Sequence, residues 1–170
     1  MRSGRRILES PDAALKRHAG GLAKSGFRRL PVARDPACLS SFYDGIPFRY
    51  PPLFEALCLS YSWSDAVVGE VELAANPPGA DLDVLASRVR YDRHLWEYLS
   101  QHGHLIFGRM SRGRYDPCAF DMTRRQEREA PLVRVDHEEI LSFYRLGRPT
   151  PVAVSFAVFL EKGLSKGAPA

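Results

Sequence analysis

The chain has 170 residues, of which 45% are hydrophobic and 26% are charged, with a formal net charge of +4. This composition is typical of one soluble globular domain that is long enough to fold without disulfide or metal staples. It has no apolar run near the roughly 18 residues of a membrane-spanning helix, and its basic start lacks the apolar core of a secretory signal. The sequence therefore predicts no membrane partner.

The three cysteines, Cys38, Cys58 and Cys118, are odd in number and far apart in the sequence. Each lies in an apolar run, which is typical of buried free thiols in a reducing compartment. We therefore expect a cytoplasmic protein.

The basic charge is concentrated at the start of the chain. Residues 1–35 contain nine Arg and Lys against three acidic residues, a net charge of +6, whereas the remaining fifteen basic and seventeen acidic residues give −2. A basic arm on a slightly acidic body attracts nucleic acid or an acidic partner. The alternative is a solvated, partly ordered extension that aids solubility.

In chain order, Ser10 and Pro11 predict the start of a first helix, which the glycine pair at 20–21 should break. Alternation of Val, Gly, Val and Leu over 67–73 predicts one half-buried strand. Further helices are predicted over 36–43, 51–61, 81–88 and 92–103.

Residues 104–141 contain three short apolar runs separated by two polar segments, which predicts an antiparallel meander over 105–107, 115–121 and 132–135. Pro117 should lie on an edge or at a bulge, because proline cannot donate a ladder hydrogen bond. Asp136 and Glu139 form a capping box that predicts a short helix. A last helix should begin at Thr150 and end at Gly163.

Together these elements predict an α+β fold: a twisted, mainly antiparallel sheet covered by several short helices. The predicted organisation is a partly ordered arm over 1–35, a single domain over 36–163 and a tail over 164–170.

Catalytic and metal chemistry find little support in the sequence. His102, His104 and the segment Asp136–Glu139 offer metal-ligand types, but no His-Glu-x-x-His or paired Cys-x-x-Cys spacing is present. Cys118 lies near Asp116 and Asp121, whose charges raise the pKa of a thiol. The sequence has no nucleophile elbow and no phosphate-cradling loop, so we predict no catalytic residue, no metal and no cofactor.

Three segments resemble the SUKH superfamily of Smi/Knr-like domains. They are Tyr-Asp-Pro-Cys-Ala-Phe-Asp at 115–121, Pro-Leu-Val-Arg-Val-Asp-His-Glu-Glu-Ile-Leu at 131–141 and Ala-Val-Ser-Phe-Ala-Val-Phe-Leu at 153–160. The resemblance covers about residues 50–162. The chain departs from the family pattern at 50–57, where the opening helix differs, and at 62–65, where Ser-Trp-Ser-Asp replaces a glycine turn.

The resemblance implies an α+β fold and a binding role without catalysis. Many bacterial members act as immunity proteins that neutralise a toxin domain, often a nuclease, and eukaryotic relatives act as regulatory scaffolds. We therefore expect a non-catalytic protein-binding domain, plausibly an immunity protein. Asp116, Asp121, Glu127 and Glu129, near the turns of the meander, are the predicted partner-facing residues, because acidic inhibitors suit basic nucleases.

Two alternatives stay open beside a housekeeping scaffold role. The first is nucleic-acid binding through the cations of the arm: Arg2, Arg5, Arg6, Lys16, Arg17, Lys24, Arg28 and Arg29. The second is a hydrolase that uses the acid and histidine groups of Asp136–Glu139. The sequence does not determine the oligomeric state.

Overall fold

The computed structural model describes residues 9–112 and 115–165. Its helices are α1 (Pro11–Lys24), α2 (Leu39–Phe42), α3 (Pro52–Ser60), α4 (Asp83–Val89), α5 (Arg93–Gln101), α6 (His137–Phe143) and α7 (Phe156–Ser165). Its strands are β1 (Arg28–Arg29), β2 (Tyr61–Ser62), β3 (Val67–Val68), β4 (Val71–Leu73), β5 (His104–Met110), β6 (Pro117–Asp121), β7 (Leu132–Arg134) and β8 (Thr150–Ala153). Within these described ranges, each helix is too short or too polar to span a membrane.

Six strands form one curled antiparallel sheet in the order β3-β4-β5-β6-β7-β8, and β1 pairs with β2 in a separate ribbon. The α+β fold class is confirmed, and so is the meander of β5, β6 and β7. Pro117 was predicted on an edge or at a bulge, but it is the first residue of β6, an inner strand, and pairs with Arg109 outside the register shift of β5. The first position of a strand tolerates proline because no ladder donor is needed there.

The register of the sheet shifts at the centre of β5, between Ile106 and Gly108. A Cβ added to Gly108 would lie 2.5 Å from the backbone oxygen of Glu72, so only glycine allows β4 to lie this close to β5. The bulge and the glycine together increase the local bend of the strand, which fits the curl of the sheet.

Two predicted elements were wrong. Residues 67–73 form a hairpin of two short strands, because Gly69 has φ +61° and occupies the first position of a two-residue turn. Residues from Thr150 form strand β8 and not a helix, because they satisfy the free edge of β7. Helix α7 begins only at Phe156, after Ser155, whose side chain accepts a hydrogen bond from the Val158 N–H.

Aromatic rings from distant elements meet at the centre of the core. Phe54 of α3, Phe107 of β5, Phe120 of β6 and Phe156 of α7 are almost fully buried. Ring centroids are 4.9 Å apart for Phe107 and Phe120 and 5.4 Å apart for Phe54 and Phe156. Tilted and edge-to-face pairs at these distances add about 0.5–1.5 kcal/mol each beyond the burial of their area.

Helix α1 continues through the glycine pair, so the predicted break was wrong. Ser10 caps the helix by accepting a hydrogen bond from the Ala13 N–H, and Leu15 and Leu22 are buried. The helix packs against α3 and α7, where a Cβ on Gly21 would lie 2.9 Å from the Leu164 Cβ. Tertiary packing therefore overrides the low helix propensity of two adjacent glycines.

The contact between α1 and α7 predicts opposite effects on stability when alanine replaces Gly20 or Gly21. Gly20 has nothing within 4 Å of an added Cβ, so Gly20→Ala should raise the free energy of unfolding by about 0.5–1 kcal/mol. Gly21→Ala should lower it by about 1–3 kcal/mol, because its new methyl group would overlap with Leu164. Urea unfolding of both variants measures the difference. Equal stabilisation by the two substitutions would contradict the contact between α1 and α7.

Candidate functional site

The four predicted partner-facing acids do not share one surface. Asp116 and Asp121 are buried, with 6% and 5% of their surfaces exposed, whereas Glu127 is exposed and Glu129 is half-buried. The sequence predicted all four at the turns of the meander, but Asp116 immediately precedes the inner strand β6 and Asp121 is its last residue. Their carboxylates therefore serve contacts within the chain.

Asp116 links β6 to two later elements. Its Oδ1 lies 2.9 Å from the His137 Nδ1 of α6, and its Oδ2 lies 3.7 Å from the Arg134 Nε at the end of β7. The backbone N–H of His137 also donates to Oδ1 at 3.4 Å. A buried carboxylate needs such partners to offset the loss of its hydration. The contacts fix the position at which α6 leaves the sheet.

Asp121 faces a buried histidine. The Asp121 Oδ1 lies 3.7 Å from the His104 Nε2 and accepts a hydrogen bond from the Thr123 N–H. The His104 Nδ1 lies 3.0 Å from the His102 carbonyl, so it carries the ring proton and donates it there. Burial lowers the pKa of His104, and the nearby Asp121 charge offsets this only in part.

One group of three possible metal ligands occurs among the described residues. Atoms of Asp116, Asp136 and His137 lie within 4.8 Å of one another. Each residue already forms hydrogen bonds within the chain. Asp116 binds His137, and Asp136 caps α6 by accepting hydrogen bonds from the backbone N–H groups of Glu138 and Glu139. Glu139 binds Arg145 instead of completing the predicted capping box. These hydrogen bonds account for the three residues without an ion.

The cysteines have the environment of structural thiols. Cys118 is fully buried, and burial raises its pKa to about 12, although the Arg134 charge lowers it in part and Asp116 adds only a smaller increase. Burial also raises the pKa of the Cys58 thiol far above its ordinary value. A thiol that stays protonated at neutral pH is a poor nucleophile.

An exposed aromatic surface lies where α6 meets α5. The side chains that form it, here called the α6 surface, are Tyr98, Leu141, Phe143 and Tyr144. Leu141, Phe143 and Tyr144 expose 47%, 67% and 79% of their areas. The Tyr98 hydroxyl donates to the Tyr144 carbonyl at 3.3 Å, which ties the two helices together at this surface.

The local sequence explains why these side chains point outward. Ile140 is the one residue of α6 that is fully buried, so the helix needs a single anchor on the body. Tyr144 ends the helix with φ +49°, a left-handed conformation that is uncommon for a bulky residue. The signal in the sequence was the run Leu-Ser-Phe-Tyr at 141–144, which places three large apolar side chains at the end of the predicted short helix but was given no role in the prediction.

The basic arm is only partly described. Arg2, Arg5 and Arg6 lie outside the described residues. Lys16, Lys24, Arg28 and Arg29 are exposed. Arg17 is also exposed but forms an ion pair with Glu9 at 2.7 Å.

No protein-family model and no curated protein matches the chain. The resemblance to the SUKH superfamily therefore stays a prediction from its motifs.

The buried histidine predicts the pH dependence of stability. Because the folded state lowers the pKa of His104, the unfolded chain binds the proton more readily. Stability is thus fully present above the ordinary pKa of about 6.5 and falls as the pH drops through the lowered value. His18, also buried, contributes in the same direction.

His104→Gln should therefore flatten the fall in unfolding free energy between about pH 7.5 and 5.5, because it removes one of these two contributions. Urea unfolding at a series of pH values measures it. His94→Gln, at an exposed histidine, serves as the control and should keep the wild-type slope. Identical slopes in His104→Gln and the wild type would contradict the assignment.

Proposed function

We propose that the chain is a non-catalytic protein-binding domain and that the α6 surface is its contact with the partner. The observation that carries the proposal is the exposure of three large apolar side chains, Leu141, Phe143 and Tyr144, within four residues at the end of α6, a helix with one fully buried residue. Large apolar side chains exposed together on a folded domain mark interaction sites more often than isolated ones do.

The composition of the α6 surface suits a binding hot spot. Tyrosine, which the α6 surface contains, and arginine, which follows it as Arg145, are enriched among the residues that dominate interface energetics. The Arg145 guanidinium lies 5.5 Å from the centre of the Phe143 ring, and Arg145 also forms an ion pair with Glu139 at 2.7 Å. These contacts restrain the side chains before binding, which reduces the entropy lost when a partner docks.

The resemblance to the SUKH superfamily suggests two biological roles for such a binding domain. An immunity protein of a bacterial toxin system binds and neutralises a toxin domain, and a regulatory scaffold is the alternative with the same binding chemistry. A cytoplasmic location suits the three free cysteines, two of which are buried.

The hydrolase alternative has less support. Asp136 caps α6, and the His137 Nδ1 is engaged by the buried Asp116. Both residues therefore have a structural use that requires no substrate. The nucleic-acid alternative rests on exposed cations such as Arg28 and Arg29, and its binding should weaken steeply with salt.

The proposal predicts that Phe143→Ser with Tyr144→Asn raises the Kd for the protein partner by at least about tenfold. Asparagine tolerates the left-handed conformation at 144, so the loss reports on the ring and not on backbone strain. The measurement is calorimetric titration with a purified partner, obtained by capture on the full chain and identified by mass spectrometry. Circular dichroism checks that the variants fold.

Tyr91→Asn is the matched control, because Tyr91 is 85% exposed and lies outside the α6 surface. It should bind as the wild type does. Unchanged affinity in the double variant would overturn the assignment of the α6 surface. A loss of binding that instead follows Arg28→Gln with Arg29→Gln and rising salt would favour the nucleic-acid alternative.

A further inference from the structure

A cavity of about 570 Å³ opens at one end of the curled sheet. Its wall includes Val71 at the start of β4, Met110 at the end of β5 and Arg134 at the end of β7, together with strand β8. The C-terminal turns of α7 form the remaining side. Ligand sites commonly measure about 300–1,000 Å³ and are frequent in the mouths of β-barrels, which the open end of this curled sheet resembles.

A glycine contact fixes one side of this cavity. A Cβ added to Gly163 would lie 2.4 Å from the Val68 Cγ1, so only glycine lets α7 approach the β3–β4 hairpin this closely. Gly69, in the turn of that hairpin, lies against Gly163. The wall formed by α7 is therefore set by backbone packing, and the cavity is formed before any ligand arrives.

The lining is mainly apolar with a few charged groups. The apolar part includes Val71, Met110, Val152 and Phe159. The Met110 Sδ lies 3.6 Å from the buried Cys118 Sγ, which anchors that side of the cavity to the core. This arrangement suits a ligand with a hydrocarbon body.

Arg134 supplies the directional polar group. Its side chain is 28% exposed, and its Nε faces Asp116 at 3.7 Å. Its two terminal nitrogens donate no hydrogen bond to any described residue. Because the Asp116 carboxylate orients one side of the Arg134 guanidinium, the two terminal nitrogens on the other side can bind an anion with a pair of parallel hydrogen bonds. The N–H groups on the two terminal nitrogens of Arg134 can each donate a hydrogen bond to one oxygen of a carboxylate.

The rim carries one charge of each sign. Lys162 and Glu70 both line the cavity and are exposed. Asp116 balances Arg134 and Glu70 balances Lys162, so the four charges cancel and the cavity has no excess positive charge to offset a dianion such as a phosphate ester. The preference for a monoanion therefore rests on the terminal nitrogens of Arg134 and not on net charge.

We propose that this cavity binds a small amphipathic carboxylate. The carboxylate pairs with the terminal nitrogens of Arg134, and its hydrocarbon chain lies between Met110 and Phe159. This inference is independent of the proposed protein-binding role, because the cavity and the α6 surface share no residue.

The first test uses the full wild-type chain and three probes of equal chain length: octanoate, 1-octanol and octylamine. Calorimetry and amide chemical-shift mapping give the affinities and the site. Octanoate should bind at least about tenfold more tightly than either other probe, since only it can use the guanidinium fork. Its shifts should centre on β8 and the last turns of α7.

The second test uses substitutions that retain the fold. Arg134→Lys keeps a positive charge beside Asp116 but removes the fork, and should weaken octanoate binding about tenfold. Lys162→Gln, at an exposed position, should weaken it about two- to threefold. The control is Arg109→Gln, because Arg109 points to the opposite face of β5 from Met110 and should leave affinity unchanged.

Four results would overturn the proposal. They are equal affinity for the three probes, no binding at all, shifts centred away from the cavity, and wild-type octanoate affinity in a folded Arg134→Lys variant. Tighter binding of an acetylated dipeptide that ends in leucine, with a free carboxylate, would also overturn it in favour of a protein C-terminus.

Discussion

The packing of aromatic rings between α3, β5, β6 and α7 is the constraint on which the remaining structure depends. Phe54, Phe107, Phe120 and Phe156 come from four parts of the chain and are almost fully buried. Their contacts place α7 against the sheet, and that placement also positions Phe159 at the cavity. The bend of β5 at Phe107 and Gly108 brings one of these rings inward while the curled sheet stays paired.

Asp116 connects the two surfaces to which we assign binding. One carboxylate oxygen holds His137 at the start of α6, and the other faces Arg134 in the cavity. The carboxylate is buried, so removing it would leave a half-buried guanidinium with one fewer partner and would loosen the start of α6. Asp116, which the sequence predicted as a partner contact, thus has a structural role between the two proposed sites.

The sequence was most informative where local chemistry decides the structure. The caps at Ser10, Asp92 and Asp136 all accept hydrogen bonds from the first turns of their helices, and the meander follows from alternating apolar runs and turns. The sequence was least informative where contacts between distant elements determine the local structure. Gly21 suits a helix only because α7 lies against it, and Thr150 is extended only because β7 offers an unpaired edge.

The candidate sites were harder to predict for a related reason. The acidic residues were chosen by their position near turns, but burial depends on which faces of β6 are covered, and all five of its residues are buried. The α6 surface required knowing that Ile140 is the one fully buried residue of its helix. The cavity required the curl of the sheet, which brings residues from four strands and α7 together.

The basic segment at the start of the chain combines residues with different roles. Arg34 is 5% exposed and donates hydrogen bonds to the carbonyls of Gly79, Pro77, Cys58 and Tyr61, so its charge is compensated by backbone dipoles inside the body. Leu15, Leu22 and Phe27 are buried in the same segment.

Deleting residues 1–35 would therefore remove part of the core together with the exposed cations, and a loss of nucleic-acid binding after deletion could not be attributed to charge. Replacing Lys16, Lys24, Arg28 and Arg29 with glutamine separates the two effects, since these side chains are exposed while the apolar anchors stay in place. The electrostatic contribution of this segment is thus measurable only in a chain that retains its first helix.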